Sequence, residues 1–284
     1  MALNKLKIFL EMIKVEHTVF ALPFAYLGAF MAAGGRPSFH DLFWVTGAMI
    51  GARTAAMSLN RLIDRHLDAL NPRTANRALP RGLISVAEVL FFIFLSFALL
   101  FYSAWQLNML CVKLLPIAVF VLTIYSYTKR WTWACHFVLG FADGMAPLGA
   151  WIGVTGSIDL PGILLGLAVA AWVAGFDLIY ACQDYEFDRA YGLYSIPARF
   201  GRPAALSWAR YLHVLAVILL AATGYALALS WPYYTGVVAA AVILAYEHYL
   251  VSPEDLSRVN MAFFNMNGYL SILMFAFTLL ALLV

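Results

Sequence analysis

Charged residues are scarce in this sequence. Asp, Glu, Lys and Arg make up 12% of its 284 residues, whereas hydrophobic residues make up 64%. Such a composition excludes an ordinary soluble domain and is typical of a protein with several membrane-spanning helices. The net charge of only +3 gives no basic surface of the kind that binds nucleic acid, so no nucleic-acid partner is expected.

Cysteine is also rare. Cys111, Cys135 and Cys182 are odd in number, lie in or beside apolar segments and have no metal-ligand spacing. Neither a disulfide framework nor a cysteine-bound metal is therefore expected. A cleavable signal peptide is not expected either, because the first apolar run contains Pro23 and is as long as a true membrane span.

Long apolar runs account for most of the chain. A helix needs about 20 residues to cross the bilayer core, and nine runs are long enough. They cover residues 17–34, 42–60, 87–105, 109–127, 134–155, 161–182, 206–228, 232–250 and 261–283. The sequence thus predicts an all-α, polytopic integral membrane protein with nine transmembrane helices around a central cavity.

The positive charges predict the orientation of these helices. Fifteen of the 18 Lys and Arg residues fall on the side of the N-terminus, whereas Arg36 alone lies in the opposite loops. By the positive-inside rule, the N-terminus and the long connections 61–86 and 183–205 face the cytoplasm, with the protein in the cytoplasmic (inner) membrane. These two long polar connections resemble each other. The resemblance predicts two related four-helix halves and one further helix within a single domain, residues 1–284.

Two acidic clusters accompany these long connections. Members of the first are four residues apart, and those of the second stand at i, i+3, i+7 and i+11, so each cluster would form a stripe on one helix face. The first cluster is Asn60, Asp64 and Asp68, and the second is Asp177, Tyr180, Asp184 and Asp188. Since Mg2+ prefers oxygen ligands and often shares them with substrate phosphates, two facing stripes would suit a diphosphate.

Three motifs resemble those of the UbiA family of intramembrane aromatic prenyltransferases. They are NxxxDxxxD after the second apolar run, YxxxKR (Tyr125, Lys129, Arg130) after the fourth, and DxxYxxQDxxxD after the sixth. The resemblance covers nearly the whole chain, and the longer strings around the acidic motifs are most similar to the 4-hydroxybenzoate polyprenyltransferase branch. Arg61 departs from the commonest family form, which has an aspartate directly after the asparagine.

The resemblance implies a magnesium-bound polyprenyl diphosphate as one substrate. Its implied metal ligands are Asn60, Asp64, Asp68, Asp184 and Asp188. Basic residues would neutralise the remaining phosphate oxygens, namely Lys129, Arg65 and Arg77. Metal and cations together would stabilise the charge on the departing pyrophosphate.

The other implied substrate is a hydroxylated aromatic acid. It would be 4-hydroxybenzoate in ubiquinone-type biosynthesis or, alternatively, 1,4-dihydroxy-6-naphthoate in menaquinone biosynthesis. Asp177, Tyr180 and Tyr125 could orient the phenol, shelter the allylic cation or accept the ring proton. Arg53, on the same stripe as Asn60, could receive the carboxylate. Asp143 could line the aromatic pocket or make a polar helix contact.

The same residues allow other interpretations. Asp177 and Arg53 could form a structural ion pair within the membrane. A transporter would also place charged residues there, but near the midplane and with broken helices. A CDP-alcohol phosphotransferase would need glycine and further acids directly after its first aspartates. His136, His213 and His248 show no ligand spacing.

Overall fold

The computed structural model describes the backbone of residues 2–284, and the side chains except those of residues 2–4, 15–21 and 263–264. Every regular element in this range is helical, which confirms the all-α prediction for the described chain. The helices are α1 (Ala2–Met12), α2 (Val15–Ala32), α3 (Phe39–Leu70), α4 (Val86–Leu107), α5 (Met109–Thr128), α6 (Cys135–Thr155), α7 (Leu160–Ala181), α8 (Tyr185–Ala190), α9 (Ile196–Phe200), α10 (Arg202–Ala226), α11 (Trp231–Tyr249) and α12 (Asn267–Leu283).

Each of the nine predicted apolar segments overlaps one of the long helices, α2–α7 or α10–α12. In the described part of the chain, six helical segments are long and apolar enough to cross a membrane, which supports an integral membrane protein. They are Phe39–Leu70, Val86–Leu107, Met109–Thr128, Cys135–Thr155, Leu160–Ala190 and Arg202–Ala226. Two further apolar helices are shorter, Leu22–Ala32 and Asn267–Leu283, and the count of nine spanning helices is not confirmed.

Helix α3 extends ten residues beyond its predicted end at residue 60. Its N-terminus is capped by the Ser38 hydroxyl, which accepts a hydrogen bond from the Asp41 amide at 3.0 Å. No proline or glycine interrupts the helix after Gly51, and it ends just before the Asn71–Pro72 dipeptide, where the α conformation is disfavoured. The first acidic cluster therefore lies inside a helix, and the predicted connection 61–86 begins only at Asn71.

The second acidic cluster follows a different path. Helix α7 ends at Ala181, the 3-10 turn Cys182–Asp184 follows, and α8 begins at Tyr185. Because a 3-10 turn advances with three residues per turn, it breaks the 3.6-residue period of α7. The second cluster is therefore not carried by one uninterrupted α-helix. Its residues Asp177, Tyr180, Asp184 and Asp188 nevertheless line a common cavity, as a shared face requires.

Helix packing places a cavity on one side of α7. Helix α7 packs between α6 and α10, while α3 packs against α4, and α2 packs against α6 and α12. The cavity is lined by residues of α1–α8 and α12 and by loop residues. None of the described lining residues belongs to α10 or α11, so the predicted ring of nine helices around the cavity is incomplete. These two helices pack behind α7 and α12 instead.

The crossing of α6 and α7 brings their backbones into contact. A Cβ atom on Gly140 would collide with the Ala170 carbonyl oxygen, and one on Gly144 would collide with the Gly166 carbonyl oxygen. Small residues allow such close approach between membrane helices. Glycine at positions 140 and 144 therefore sets the spacing of the two helices.

Candidate active site

A cavity of 1320 Å³ opens among the helices. Its walls are mostly apolar in one part, where Met49, Leu115, Leu139 and Trp172 contribute, and polar near the two long connections. Of the thirteen site residues predicted from the sequence, twelve line this single cavity. They are Arg53, Asn60, Asp64, Asp68, Arg77, Tyr125, Lys129, Asp143, Asp177, Tyr180, Asp184 and Asp188.

Arg65 is the exception. Its guanidinium donates a hydrogen bond to the Leu62 carbonyl oxygen of the same helix at 2.8 Å, and the residue is not part of the cavity lining. Arg65 lies next to Asp64 in the helix, but its guanidinium is turned to its own backbone in this structure. The predicted contact of Arg65 with the diphosphate is not supported by this position.

Asp64 is the most enclosed member of the first cluster. Its side chain is 3% exposed, and both carboxylate oxygens are bound by cations. Lys129 Nζ lies 2.5 Å from Oδ2, and an Arg130 nitrogen lies 2.8 Å from Oδ1. Asn60 Nδ2 also donates to Oδ2 at 3.2 Å. The YxxxKR segment at the end of α5 thus meets the NxxxDxxxD segment of α3.

Asp68, one turn further along α3, has a separate partner. One Arg77 nitrogen lies 2.7 Å and 2.8 Å from its two carboxylate oxygens. Asp68 Oδ1 and Oδ2 are therefore engaged by the loop that follows α3. Pairing with an arginine offsets the cost of enclosing this carboxylate, whose side chain is 7% exposed.

Asp184 binds the same loop. Arg73 contacts both of its carboxylate oxygens, at 2.9 Å through Nε and 2.5 Å through Nη2, and Asn71 Nδ2 donates to Oδ1 at 3.0 Å. Arg73 Nη1 also donates to the Tyr180 hydroxyl at 2.9 Å. Burial lowers the pKa of Arg73, but the hydrogen bonds and charge of Asp184 outweigh it, so the net pKa lies above the usual value. The sequence prediction omitted Arg73 and Asn71, whose only signal was their place in the polar segment after the first motif.

Asp188 is held by a hydroxyl group. Ser195 Oγ donates to Asp188 Oδ2 at 2.8 Å and also accepts from the Ala198 amide at 3.2 Å, which caps α9. The loop before α9 therefore fixes Asp188 at the cavity.

Asp177 pairs with a histidine that was not predicted as a site residue. His136 Nδ1 lies 2.6 Å from Asp177 Oδ2, and the alternative of a structural ion pair between Asp177 and Arg53 is not found among the described residues. No local pattern indicated this contact, because the two residues lie on different helices, 41 positions apart. His136 itself is 3% exposed.

Arg53 faces the apolar part of the cavity without a close anionic partner. Its Nε atom is buried and makes no hydrogen bond among the described residues. Asp143 lines the same cavity but forms no ion pair with Arg53 in the described structure. A buried guanidinium nitrogen that lacks an acceptor is costly, and an anionic ligand could supply that acceptor.

The two predicted tyrosines have different roles in hydrogen bonding. The Tyr125 hydroxyl donates to the Ala56 carbonyl oxygen at 3.0 Å, so its proton is already committed. The Tyr180 hydroxyl accepts from Arg73, and the Arg73 guanidinium lies 5.1 Å from the centre of the Tyr180 ring. Both rings face the cavity.

Arg61, the departure from the common first motif, joins two elements. Its Nε donates to the Met12 carbonyl oxygen at 3.3 Å, and Nη1 donates to Asn60 Oδ1 at 3.4 Å. Met12 ends α1 and lines the cavity. Where the family form has an acid, this chain therefore has a cation that ties α1 to the acidic stripe.

The donor set fits a divalent metal that is shared with a phosphate. No three Asp, Glu, His or Cys side chains in the described structure are grouped closely enough to hold a metal ion by themselves. Mg2+, however, is commonly bound by one or two carboxylates together with substrate phosphates. The carboxylate oxygens of Asp64, Asp68 and Asp184 would suit such a shared site.

Comparison with protein families and known proteins identifies relatives of this chain. The model of the UbiA prenyltransferase family matches residues 21–280. The 4-hydroxybenzoate octaprenyltransferase of Tolumonas auensis is 31% identical over 251 residues, which cover 88% of this chain and 87% of that protein. The protein of the same name from Aliivibrio salmonicida is 30% identical over 270 residues, or 94% of each chain.

Solved structures show the same fold. A UbiA homolog from Aeropyrum pernix K1 superposes with a TM-score of 0.84 at 33% identity, covering 92% of this chain and 96% of that chain. A UbiA homolog from Archaeoglobus fulgidus bound to DMAPP and Mg2+ is similar in fold, with a TM-score of 0.76 at 23% identity. That comparison covers 97% of this chain and 99% of the other.

Proposed function

This chain belongs to the UbiA prenyltransferase family and is an aromatic prenyltransferase, and on that basis we propose that it transfers a polyprenyl group from polyprenyl diphosphate to a ring carbon of 4-hydroxybenzoate. The main support is a cavity with two parts. One end contains carboxylates and cations, and the apolar part contains the buried Arg53 Nε, which makes no hydrogen bond among the described residues. The names of the relatives from Tolumonas auensis and Aliivibrio salmonicida support the choice of acceptor.

The polar end would bind the diphosphate. Asn60, Asp64, Asp68, Asp184 and Asp188 would hold Mg2+, which when bound neutralises charge on the departing pyrophosphate. Lys129, Arg73 and Arg77 now contact carboxylates at 2.5 to 2.9 Å. If these carboxylates held the metal, the same three cations would be available to contact phosphate oxygens.

The apolar part would bind the aromatic acid. Arg53 is suited to its carboxylate because a guanidinium can donate two parallel hydrogen bonds to a carboxylate, and its buried Nε has no other acceptor. The phenol ring would then lie between Arg53 and the polar end of the cavity.

Transfer requires that one carbon–oxygen bond break and one carbon–carbon bond form. The allylic carbon leaves the diphosphate oxygen, and the cationic side chains stabilise the pyrophosphate that departs. The ring carbon next to the hydroxyl then bonds to the allylic carbon, and the faces of Tyr125 and Tyr180 would stabilise the cation in between. The displaced ring proton passes to the Asp177 carboxylate, which restores aromaticity.

We also propose an orientation of the protein in the membrane. The N-terminus and the connections that carry Arg73, Arg77 and Ser195 would face the cytoplasm, following the distribution of Lys and Arg along the chain. The protein would then lie in the cytoplasmic membrane with its diphosphate end toward the cytoplasm. The long prenyl tail would extend between helices into the lipid.

The test is an assay of detergent-purified protein with Mg2+ and a polyprenyl diphosphate. Separate tubes receive 4-hydroxybenzoate or 1,4-dihydroxy-6-naphthoate, and mass spectrometry detects prenylated product. We expect product from the benzoate. Product from the naphthoate alone would assign the enzyme to menaquinone biosynthesis, and product from neither acid would overturn the proposed acceptor class. An Asp184→Asn variant serves as the inactive control.

A further inference from the structure

We propose that His136 is a positioning residue that holds Asp177 in the orientation in which its carboxylate accepts the ring proton. This inference rests on the proposed prenyl transfer and adds a residue to it. His136 is near the start of α6, and Asp177 is near the end of α7. Their side chains meet at the cavity wall with 2.6 Å between Nδ1 and Oδ2.

Exposure shows which of the two residues faces the substrate. The Asp177 side chain is 23% exposed, whereas the His136 side chain is 4% exposed. Both residues line the cavity, and Asp177 presents the more exposed side chain. The hydrogen bond to His136 engages Oδ2 of Asp177, so Oδ1 is the oxygen that would face the reacting ring.

A second contact of His136 determines its tautomer. The Ile196 amide donates to His136 Nε2 at 3.3 Å, so this nitrogen has a lone pair and no hydrogen. In a neutral imidazole the other nitrogen then carries the hydrogen, and Nδ1 donates it to Asp177. This hydrogen bond fixes the orientation of the Asp177 carboxylate through Oδ2.

The donor to Nε2 belongs to a segment that also reaches the diphosphate end. Ser195, the residue before Ile196, donates to Asp188, and the Tyr194 amide donates to the Lys129 carbonyl oxygen at 2.7 Å. Residues 194–196 thus connect Lys129 and Asp188 with His136. The orientation of the proton acceptor is therefore tied to the same segment that fixes the cation-binding end.

A double-mutant cycle tests the proposal. With the benzoate as acceptor, His136→Ala should lower kcat by about 10- to 100-fold, the usual effect of losing a residue that orients a catalytic group, and should change the KM of the diphosphate by less than about twofold. In the Asp177→Asn background, His136→Ala should lower kcat by less than about twofold further, because its effect acts through Asp177. His136→Gln should recover most of the activity, since one amide can donate to Asp177 and accept from Ile196.

The outcomes separate this inference from the proposed function. If the unmodified protein forms no product, the proposed function itself is refuted. With an active unmodified protein, an unchanged kcat in His136→Ala, or an equal loss of kcat in both backgrounds, refutes the role of His136. If His136→Ala does not elute as folded protein, His136→Asn replaces it, because its shorter side chain cannot reach both partners. His248→Ala is the matched control, since His248 lies outside the cavity lining and is expected to keep kcat.

Discussion

Arg73 and Asp184 join the loop after α3 to the turn after α7 through two parallel hydrogen bonds of 2.9 and 2.5 Å. The two residues are 111 positions apart in the chain. Their contact closes the polar end of the cavity from both sides, and Asn71 adds a further bond to the same carboxylate. This geometry depends on the forked guanidinium, which a lysine ammonium cannot reproduce.

Arg73→Lys should therefore raise the KM of the polyprenyl diphosphate by about tenfold, which corresponds to about 1.4 kcal/mol. The KM of the aromatic acid should change much less, because Arg73 lies at the diphosphate end. Steady-state kinetics with each substrate varied in turn measures both constants. Arg258→Lys is the matched control, since Arg258 is exposed and lies outside the cavity lining. An equal rise in both KM values would contradict the assignment.

Asp64→Asn and Asp184→Asn should each reduce turnover by at least about 100-fold, because each loses a charged oxygen ligand at the point where pyrophosphate departs. Gel filtration and protein yield in membranes should match those of the unmodified protein. Asp159→Asn is the control, since Asp159 bonds to Ser157 and Trp151 away from the cavity. Near-normal turnover in both site variants would refute the metal–diphosphate site.

Arg53→Ala should raise the KM of the benzoate acceptor by at least about tenfold, because the carboxylate loses a charge-assisted hydrogen bond. The KM of the diphosphate should remain within about twofold of its original value. A phenol without a carboxylate serves as the control substrate. Its turnover should be slow, and equally slow in the unmodified protein and in Arg53→Ala. A similar loss with that phenol would show that Arg53 acts on something other than the carboxylate.

Removal of divalent metal with a chelator should stop product formation, and added Mg2+ should restore it. Binding of the polyprenyl diphosphate, measured by calorimetry, should weaken under the same conditions because the carboxylates and phosphates then repel each other. Full turnover in the presence of excess chelator would refute metal-assisted ionisation.

Gly144→Val should lower the free energy of unfolding by about 1–3 kcal/mol or more, since a larger side chain forces α6 away from the Gly166 carbonyl oxygen. Thermal unfolding in detergent gives the comparison. Gly149→Ala on the same helix is the control, because a Cβ there meets no atom. Equal stability of the two variants would show that the close contact of α6 and α7 is not required.

The sequence predicted much of the architecture because apolar runs and motif spacing are local signals. All nine apolar runs overlap helices. As expected, Asp64, Asp68, Asp184 and Asp188 line one cavity. What it missed depends on helix phase and on contacts between distant segments. The end of α3 was set too early, at residue 60, because polar residues end the apolar run there, whereas the predicted stripe of Asn60, Asp64 and Asp68 on one helix face agrees with the observed helix.

The partners of the acidic residues were the least predictable part. Asp177 binds His136 and Asp184 binds Arg73, yet neither pairing follows from spacing along the chain. Arg65 and Arg77 had the same predicted role, but Arg65 bonds to the backbone of its own helix, whereas Arg77 lies in the loop that returns to Asp68. The two-half repeat proposed from the similar polar segments stays a prediction.

The contact between α6 and α7 has a consequence for how acceptor preference can change. Because the two backbones touch at Gly140 and Gly144, peptide groups fix the distance between the helix that carries His136 and the helix that carries Asp177. With the proposed function, substitutions in the cavity wall would reshape the space around the aromatic ring without moving Asp177, the proposed proton acceptor. Such a scaffold separates recognition from chemistry, so single substitutions in the wall can select a new aromatic acid while the reacting groups keep their register.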